Sequence, residues 1–110
     1  MASRRKNGAG AAGARKKPDG DTYILRLYVA GTTPRSMRAI LDARAFCESH
    51  LANRYELEVI DIYQQPAQAR DEQIIAVPTL VRSLPPPLRR LVGDLSDVDR
   101  VLTGLEILNR

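Results

Sequence analysis

The chain is poor in the residues that carry redox and metal chemistry. Its 110 residues include one cysteine, one histidine and no tryptophan. Because a single cysteine cannot close an internal disulfide bond, this composition is typical of the reducing cytoplasm. No apolar run approaches the roughly 18 residues that a membrane-spanning helix needs. We therefore expect a cytoplasmic protein with no metal, no cofactor and no membrane contact.

Positive charge is concentrated at the N-terminus. Residues 1–21 hold six lysines and arginines against two aspartates, and this excess of four equals the net charge of the whole chain, +4. The remaining residues, 22–110, are therefore neutral and do not indicate a nucleic-acid-binding face. The length of this segment is sufficient for one domain. The composition of residues 1–21 predicts a disordered, solvated tail, with a transit peptide or an electrostatic tether to acidic partners as alternatives.

The first half of the domain predicts a strand, a helix and a second strand. Alternating apolar residues predict strands over residues 23–30 and 55–63. Thr33 is a typical N-cap and Pro34 suits the first helical position, so a helix should extend from there to about Leu51. Its apolar stripe is predicted on Met37, Ile40, Leu41, Cys47 and Leu51, widened by Ala39, Ala43 and Phe46. The two strands should be parallel with a right-handed crossover.

The second half predicts a short helix over residues 66–73, a hairpin and a final helix. The hairpin strands, 79–83 and 88–92, flank three successive prolines that cannot belong to a central ladder. Ser96 is the expected N-cap of the last helix, whose apolar stripe is Val98, Val101, Leu102, Leu105 and Leu108. The order β-α-β-α-β-β-α predicts an α/β thioredoxin-like fold with helices on both faces of the sheet. That fold places a cis-proline before the third strand, which matches Pro78.

The thioredoxin-like pattern raises the hypothesis of thiol chemistry, which needs a cysteine at the exposed start of the first helix. Thr32, Thr33 and Ser36 stand there instead. They could polarise a thiol such as glutathione, but they serve equally well as helix caps. Cys47 lies about three turns later in the apolar stripe, where it suits a small buried hydrophobe. His50 alone completes no metal site, and we predict no catalytic residue.

Charged residues on the strands offer surfaces for binding another macromolecule. The hairpin carries a predicted basic patch of Arg82, Arg89 and Arg90, and the second strand is made acidic by Glu56, Glu58 and Asp61. Charges on an outer hairpin ordinarily protect a sheet edge from aggregation. Recognition of another protein is the equally weighted alternative.

The chain resembles the KaiB family of circadian-clock proteins in four stretches: YILRLYVAGTTPRSMRA, LEVIDIYQQPAQA, IIAVPTLVRSLPPPLRRLVGDLSD and VLTGLEIL. The resemblance covers about residues 22 to 108 without an obvious gap and leaves out the basic tail. The combination of VPTL, LPPPLRR and GDLS is its most specific part.

This resemblance implies a non-enzymatic regulator that binds the hexameric ATPase KaiC and, in clock systems, competes with a histidine kinase. The candidate partner-binding residues are Arg38, Glu56, Glu58, Gln73, Arg89 and Arg90. Glu58 and Gln73 occupy positions where cyanobacterial clock members carry lysine. The alternatives are therefore a simpler timer, a stress-response protein or a kinase-sensor module, and a thiol or glutathione enzyme is the remaining hypothesis.

The resemblance also implies two alternative folds for one sequence. The thioredoxin-like form binds the ATPase, whereas a second form with the order β-α-β-β-α-α-β usually assembles into tetramers, so a homo-dimer or homo-tetramer is expected. The candidate switch residues are Pro78, Pro85, Pro86, Pro87, Gly104 and Glu106. Because Gly104 is predicted to interrupt the last helix, Gly104→Ala is expected to favour the thioredoxin-like form by about 1 kcal/mol.

Overall fold

The computed structural model describes residues 22–107. Its elements, in chain order, are β1 (Tyr23–Val29), α1 (Pro34–His50), β2 (Tyr55–Asp61), α2 (Pro66–Asp71), β3 (Thr79–Leu84), β4 (Arg89–Val92) and α3 (Val98–Gly104). The predicted order β-α-β-α-β-β-α is confirmed, with element ends that agree within two residues except at the last helix, which ends at Gly104 although its apolar stripe was predicted to extend to Leu108. The basic segment 1–21 and Leu108 lie outside the described residues.

The four strands form one sheet in the order β2-β1-β3-β4. β1 and β2 are parallel, beginning with Tyr23 opposite Tyr55, and β3 lies antiparallel to both β1 and β4. Leu25 and Tyr28, which point to opposite faces of β1, are both fully buried. Both faces of β1 are therefore covered, and β1 lies between β2 and β3, which confirms the prediction that residues 23–30 form a central strand.

Two layers of helix cover the sheet. On one face, here the α1 face, Leu25 and Leu27 pack in the main core with Ala43 of α1 and Val101 of α3. On the other, the α2 face, a smaller core contains Tyr28, Ile60, Ala69 and Val81. α2 has only six residues, so it covers part of its face and leaves charged strand residues exposed beside it.

The rotation of α1 differs from the predicted one. The helix buries Ser36, Ala39, Ala43, Phe46 and Cys47, whereas Met37 and Leu41, two members of the predicted stripe, are 47% and 62% exposed. The Ser36 hydroxyl accepts a hydrogen bond from the Ala30 N–H at 3.0 Å and donates one to the Ala30 carbonyl at 3.3 Å. These bonds hold Ser36 against the end of β1, so the helix turns its small residues toward the sheet.

The hairpin has the predicted corners. The Val77–Pro78 peptide bond is cis, as expected, and the Leu84–Pro85 and Pro86–Pro87 bonds are cis as well. The Pro78 carbonyl accepts a hydrogen bond from the Gly93 N–H at 2.9 Å. This contact joins the chain entering β3 to the chain leaving β4.

The start and the end of α3 both differ from the prediction. The N-cap is Asp97, whose carboxylate accepts a bond from the Arg100 N–H at 3.2 Å. Ser96 lies one residue before the cap, and its N–H donates to the Asp94 side chain at 2.9 Å. Gly104 is the last residue of the helix and does not interrupt it.

Candidate functional site

Thioredoxin-like proteins carry their reactive thiol at the start of the first helix, and in this chain capping hydroxyl groups occupy that position. Thr33 Oγ1 accepts a hydrogen bond from the Ser36 N–H at 3.2 Å and donates to Ser36 Oγ at 2.9 Å. Both hydroxyls are therefore engaged in holding the start of α1. Cys47 is fully buried, and burial, with a contribution from the Glu48 carboxylate, raises the pKa of its thiol to about 12. Such a thiol is a poor nucleophile near neutral pH.

An open cleft of about 350 Å³ lies beside Pro78, between the start of α1 and the loop before α3. Its charged lining residues are Arg35, Arg38, Asp42 and Asp94. Arg38 Nε lies 3.6 Å from Asp42 Oδ2, and hydrogen bonds from Ser96 lower the pKa of the Asp94 carboxyl. Because the two guanidinium groups face two carboxylates, this cleft has no charge excess with which to select an ionic ligand.

The α2 face brings together four of the six candidate partner-binding residues. Glu58 pairs with Arg26 across β1 and β2, and Glu56 lies two residues earlier on the same face. Arg90 stands opposite buried Val81 in the β3–β4 ladder, which places it on the α2 face too. Its guanidinium donates to the Gln73 carbonyl at 3.1 Å, so the turn after α2 is tied to β4.

A charged network crosses the middle of this face. Arg26 Nε lies 3.6 Å from Glu58 Oε1, and one of its terminal nitrogens lies 4.0 Å from Glu72 Oε2. Sequence reasoning missed Arg26 and Glu72. Arg26 is recognisable as the charged position in an otherwise apolar strand, but Glu72 reaches it only through the turn that follows α2, which no local pattern indicates.

The predicted basic patch of Arg82, Arg89 and Arg90 is wrong. Adjacent strand residues point to opposite faces, so Arg89 and Arg90 diverge. Arg82 is 5% exposed and donates to the Pro87 carbonyl at 2.7 Å and to the Glu106 carbonyl at 3.2 Å.

Arg89, another candidate partner-binding residue, lies on the α1 face of the sheet. It stands directly across from Arg82, and its Nε lies 2.9 Å from Glu106 Oε2. Two arginines thus hold Glu106, which has a positive φ of 53°, and fasten the chain after α3 to the hairpin. Arg38, on the exposed side of α1, is separate from both groups.

Two exposed apolar side chains lie in the loops around α2, and sequence reasoning missed them as surface features. Tyr63 follows β2, and Ile75 precedes Pro78. The available signal was their position shortly before a proline, Pro66 for Tyr63 and Pro78 for Ile75, where a strand or helix is interrupted.

These features define a thioredoxin-like α/β domain whose thiol position is occupied by capping hydroxyls. The N-terminal domain of Synechococcus elongatus SasA shares the fold with a TM-score of 0.66 and 22% identity, over 86% of this chain and 92% of that one. Mitochondrial thioredoxin 3 from Saccharomyces cerevisiae shares the fold with a TM-score of 0.64 and 13% identity, over 80% of each chain. In residues 22–107 we find no helix long and apolar enough to cross a membrane.

Sequence comparison assigns the domain more narrowly. The family model of the KaiB domain matches residues 26–107. The circadian clock oscillator protein KaiB of Synechococcus sp. RCC307 is 54% identical over 87 residues, which are 79% of each chain. The KaiB of Prochlorococcus marinus MIT 9312 is 53% identical over 79% of this chain and 83% of its own. The chain belongs to the KaiB family, as the sequence resemblance predicted.

Proposed function

We propose that this protein is a non-enzymatic clock or timer regulator that binds a KaiC-like ATPase. The observation that carries the proposal is the match to the KaiB domain over residues 26–107, which spans nearly all of the described structure. Relatives more than half identical to this chain bear the name of circadian clock oscillator proteins. A histidine kinase that competes for the same ATPase is the second partner we propose.

The chemistry of the α1 start supports a binding role over catalysis. Thr33 and Ser36 use their hydroxyls to cap the helix and to hold Ala30. The buried Cys47 thiol, with its pKa of about 12, offers no reactive thiolate at physiological pH. A regulator of this kind therefore acts by occupying a surface of its partner.

The α2 face is the surface that we propose for docking. It presents Glu56, Glu58, the Gln73 turn and Arg90 together, and Arg90 is exposed. Arg38 lies elsewhere, on α1, and would contact a partner only if the interface extends around the domain. Arg89 is half-buried and bonded to Glu106, so we propose a structural role for it instead.

We also propose that the described fold is the binding-competent one of two forms. Pro78, Pro85, Pro86 and Pro87 delimit the hairpin. Gly104 ends the helix that packs against it, and Glu106 follows that helix. If the thioredoxin-like form were populated at ~1%, the apparent affinity for the ATPase would fall about 100-fold.

The test is a binding titration between the full chain and the KaiC-like ATPase encoded in the same genome, in its ADP and ATP states. We expect saturable binding in at least one state, and roughly tenfold weaker binding for Arg90→Ala because arginine is enriched among the interface residues whose truncation costs more than 1 kcal/mol. Arg35→Ala is the matched control, an exposed arginine at the start of α1 that lines the separate cleft beside Pro78, and should bind as the wild type does. Absence of binding in both nucleotide states contradicts the proposed function.

A further inference from the structure

The cleft beside Pro78, here the Pro78 cleft, combines an apolar lining with charges of both signs. Its volume is about 350 Å³, and three buried residues, Ala39, Pro78 and Leu95, give it apolar walls. Two arginines and two aspartates complete the lining. Because the positive and negative groups are equal in number, the cleft is matched to a ligand that carries one charge of each sign.

Two charged groups of the Pro78 cleft are available to such a ligand. Asp42 Oδ2 is a buried atom that accepts no hydrogen bond from the described residues. Arg38 Nε approaches it only to 3.6 Å, which is beyond hydrogen-bond distance. The Arg35 guanidinium makes no ion pair or hydrogen bond within residues 22–107. Since a buried acceptor without a donor is costly, Asp42 favours a ligand that brings a charged N–H group.

The spacing of these two groups sets the length of the ligand. Arg35 and Asp42 both belong to α1, and residues seven positions apart in a helix lie on the same side, about 10 Å apart along the axis. A single amino acid holds its ammonium and carboxylate groups within ~4 Å of each other, so it cannot reach both. Three residues of extended chain span ~10 Å, which matches the separation.

A second cleft, of about 330 Å³, adjoins the first at Asp42. The two clefts share four lining residues: Arg38, Asp42, Leu95 and Ser96. Beyond Asp42 the second cleft is lined by the apolar side chains of Phe46 and Val98, and Val98 is 38% exposed. A peptide whose ammonium group lies at Asp42 places its first side chain against these two residues, so the site favours an apolar first residue.

We propose that the Pro78 cleft binds a short free peptide of about three residues with an apolar first residue. The peptide ammonium group donates to Asp42 Oδ2, the chain lies over Pro78 and Leu95, and the terminal carboxylate pairs with Arg35. No covalent bond forms. The site is separate from the α2 face proposed for the ATPase, so it gives the protein a second, small ligand.

A simple anion is the competing ligand. The cleft lies at the start of α1, where the helix dipole and the two arginines attract negative charge. Asp42 and Asp94 face the same space and oppose an anion, which also leaves Asp42 Oδ2 without a donor. These contacts favour the zwitterionic peptide, and the experiment compares the two ligands directly.

The test is an NMR titration of the full, isotope-labelled chain with the tripeptide Leu-Ala-Ala at neutral pH. We expect saturable amide shifts over residues 35–42 and 93–96 and none over residues 55–61. Acetylation of the peptide N-terminus should weaken binding about tenfold, because it removes a charged donor to a buried oxygen. Amidation of its C-terminus should weaken binding about threefold, because Arg35 is exposed. Leucine alone and acetate should each bind roughly tenfold more weakly than the tripeptide.

Matched variants assign each end of the peptide to its residue. Asp42→Ala should weaken binding of Leu-Ala-Ala about tenfold and leave the acetylated peptide unaffected, and Arg35→Ala should weaken it about threefold and leave the amidated peptide unaffected. Asp71→Ala and Arg70→Ala, equal charge changes at exposed positions of α2, should bind the peptide as the wild type does.

Three results overturn the proposal: no saturable shift below about 10 mM peptide, capped peptides or acetate that bind as tightly as Leu-Ala-Ala, or shifts centred outside the cleft. An Asp42→Ala protein whose amide spectrum matches the wild type beyond the cleft excludes unfolding as the cause of weaker binding. The titration contains no ATPase, so its failure leaves the proposed function standing.

Discussion

Replacing Arg82 tests the contact that joins the hairpin to the chain after α3. Its buried guanidinium donates to the Pro87 carbonyl in the proline turn and to the Glu106 carbonyl beyond α3. Arg82→Met keeps the aliphatic part of the side chain and removes both donors. The substitution therefore leaves two carbonyl groups without the partner that the native fold gives them.

The expected magnitude follows from three contributions. Each hydrogen bond from a charged donor contributes ~1.5–3 kcal/mol, so the two bonds together account for roughly 3–6 kcal/mol. Arg82 Nε is buried without a partner, and removing a buried guanidinium recovers part of that free energy because its desolvation is relieved. We expect Arg82→Met to lower the free energy of unfolding by about 2 kcal/mol.

Urea denaturation followed by circular dichroism measures this change. With an m-value of ~1–2 kcal/mol/M for a small domain, the midpoint should fall by about 1–2 M with the slope unchanged. Arg90→Met is the matched control, because it removes an exposed arginine with one bond to the Gln73 carbonyl, and it should cost less than about 0.5 kcal/mol. An Arg82→Met protein within 0.5 kcal/mol of the wild type would refute the reasoning.

Three further outcomes follow from the described contacts. At pH 8 the Cys47 thiol, with a pKa of about 12 in place of 9.0, should react with an aromatic disulfide reagent roughly 1000-fold more slowly in the folded protein than in denaturant; comparable rates would contradict its burial. Thr33→Ala should cost ~1 kcal/mol in urea denaturation because α1 loses its N-cap, whereas Thr32→Ala, at an exposed loop position, should cost little. Gly104→Ala should change the free energy of unfolding by less than about 0.5 kcal/mol. The new Cβ would lie 2.9 Å from Leu91 Cδ1, and the cost of displacing this leucine offsets the gain in helix propensity. An increase of about 1 kcal/mol in the free energy of unfolding would show that helix propensity alone decides the effect.

The order of the elements was predictable because it depends on local signals. Alternating apolar residues distinguish β1 and β2, and prolines mark both the start of α1 and the corners of the hairpin. Such signals act within a few residues. The sequence therefore predicted every strand and helix and the sheet connections that follow from their order.

The rotation of α1 was not predictable from periodicity. Apolar residues occur on two overlapping stripes, one through Met37 and Leu41 and one through Ala39 and Ala43. Hydrophobicity favours the first stripe, since Met and Leu are the larger side chains. The structure selects the second because the Ser36 hydroxyl is bonded to the Ala30 backbone, a contact across the β1–α1 turn that a pattern along the helix does not contain.

The candidate surface was predictable only in part. Glu56 and Glu58 could be assigned to one face because they are two residues apart in a strand. The same rule separates Arg89 from Arg90, and applying it would have removed the basic patch. The partners of Arg82 and Arg89 could not be inferred, since Glu106 comes from 24 residues beyond Arg82 and reaches it only when α3 packs on the hairpin.

The two arginines of β4 lie on opposite faces of the sheet, one in the packing against α3 and one on the surface proposed for docking. Arg89 faces α3, where its ion pair with Glu106 and the neighbouring Arg82 bonds hold the end of the domain to the hairpin. Arg90, the next residue, faces α2 and remains exposed. Because strand geometry sends consecutive side chains to opposite faces, the two arginines have different effects although they are chemically identical. Loss of Arg89 acts on the attachment of the chain after α3, and loss of Arg90 acts on the surface proposed for the ATPase.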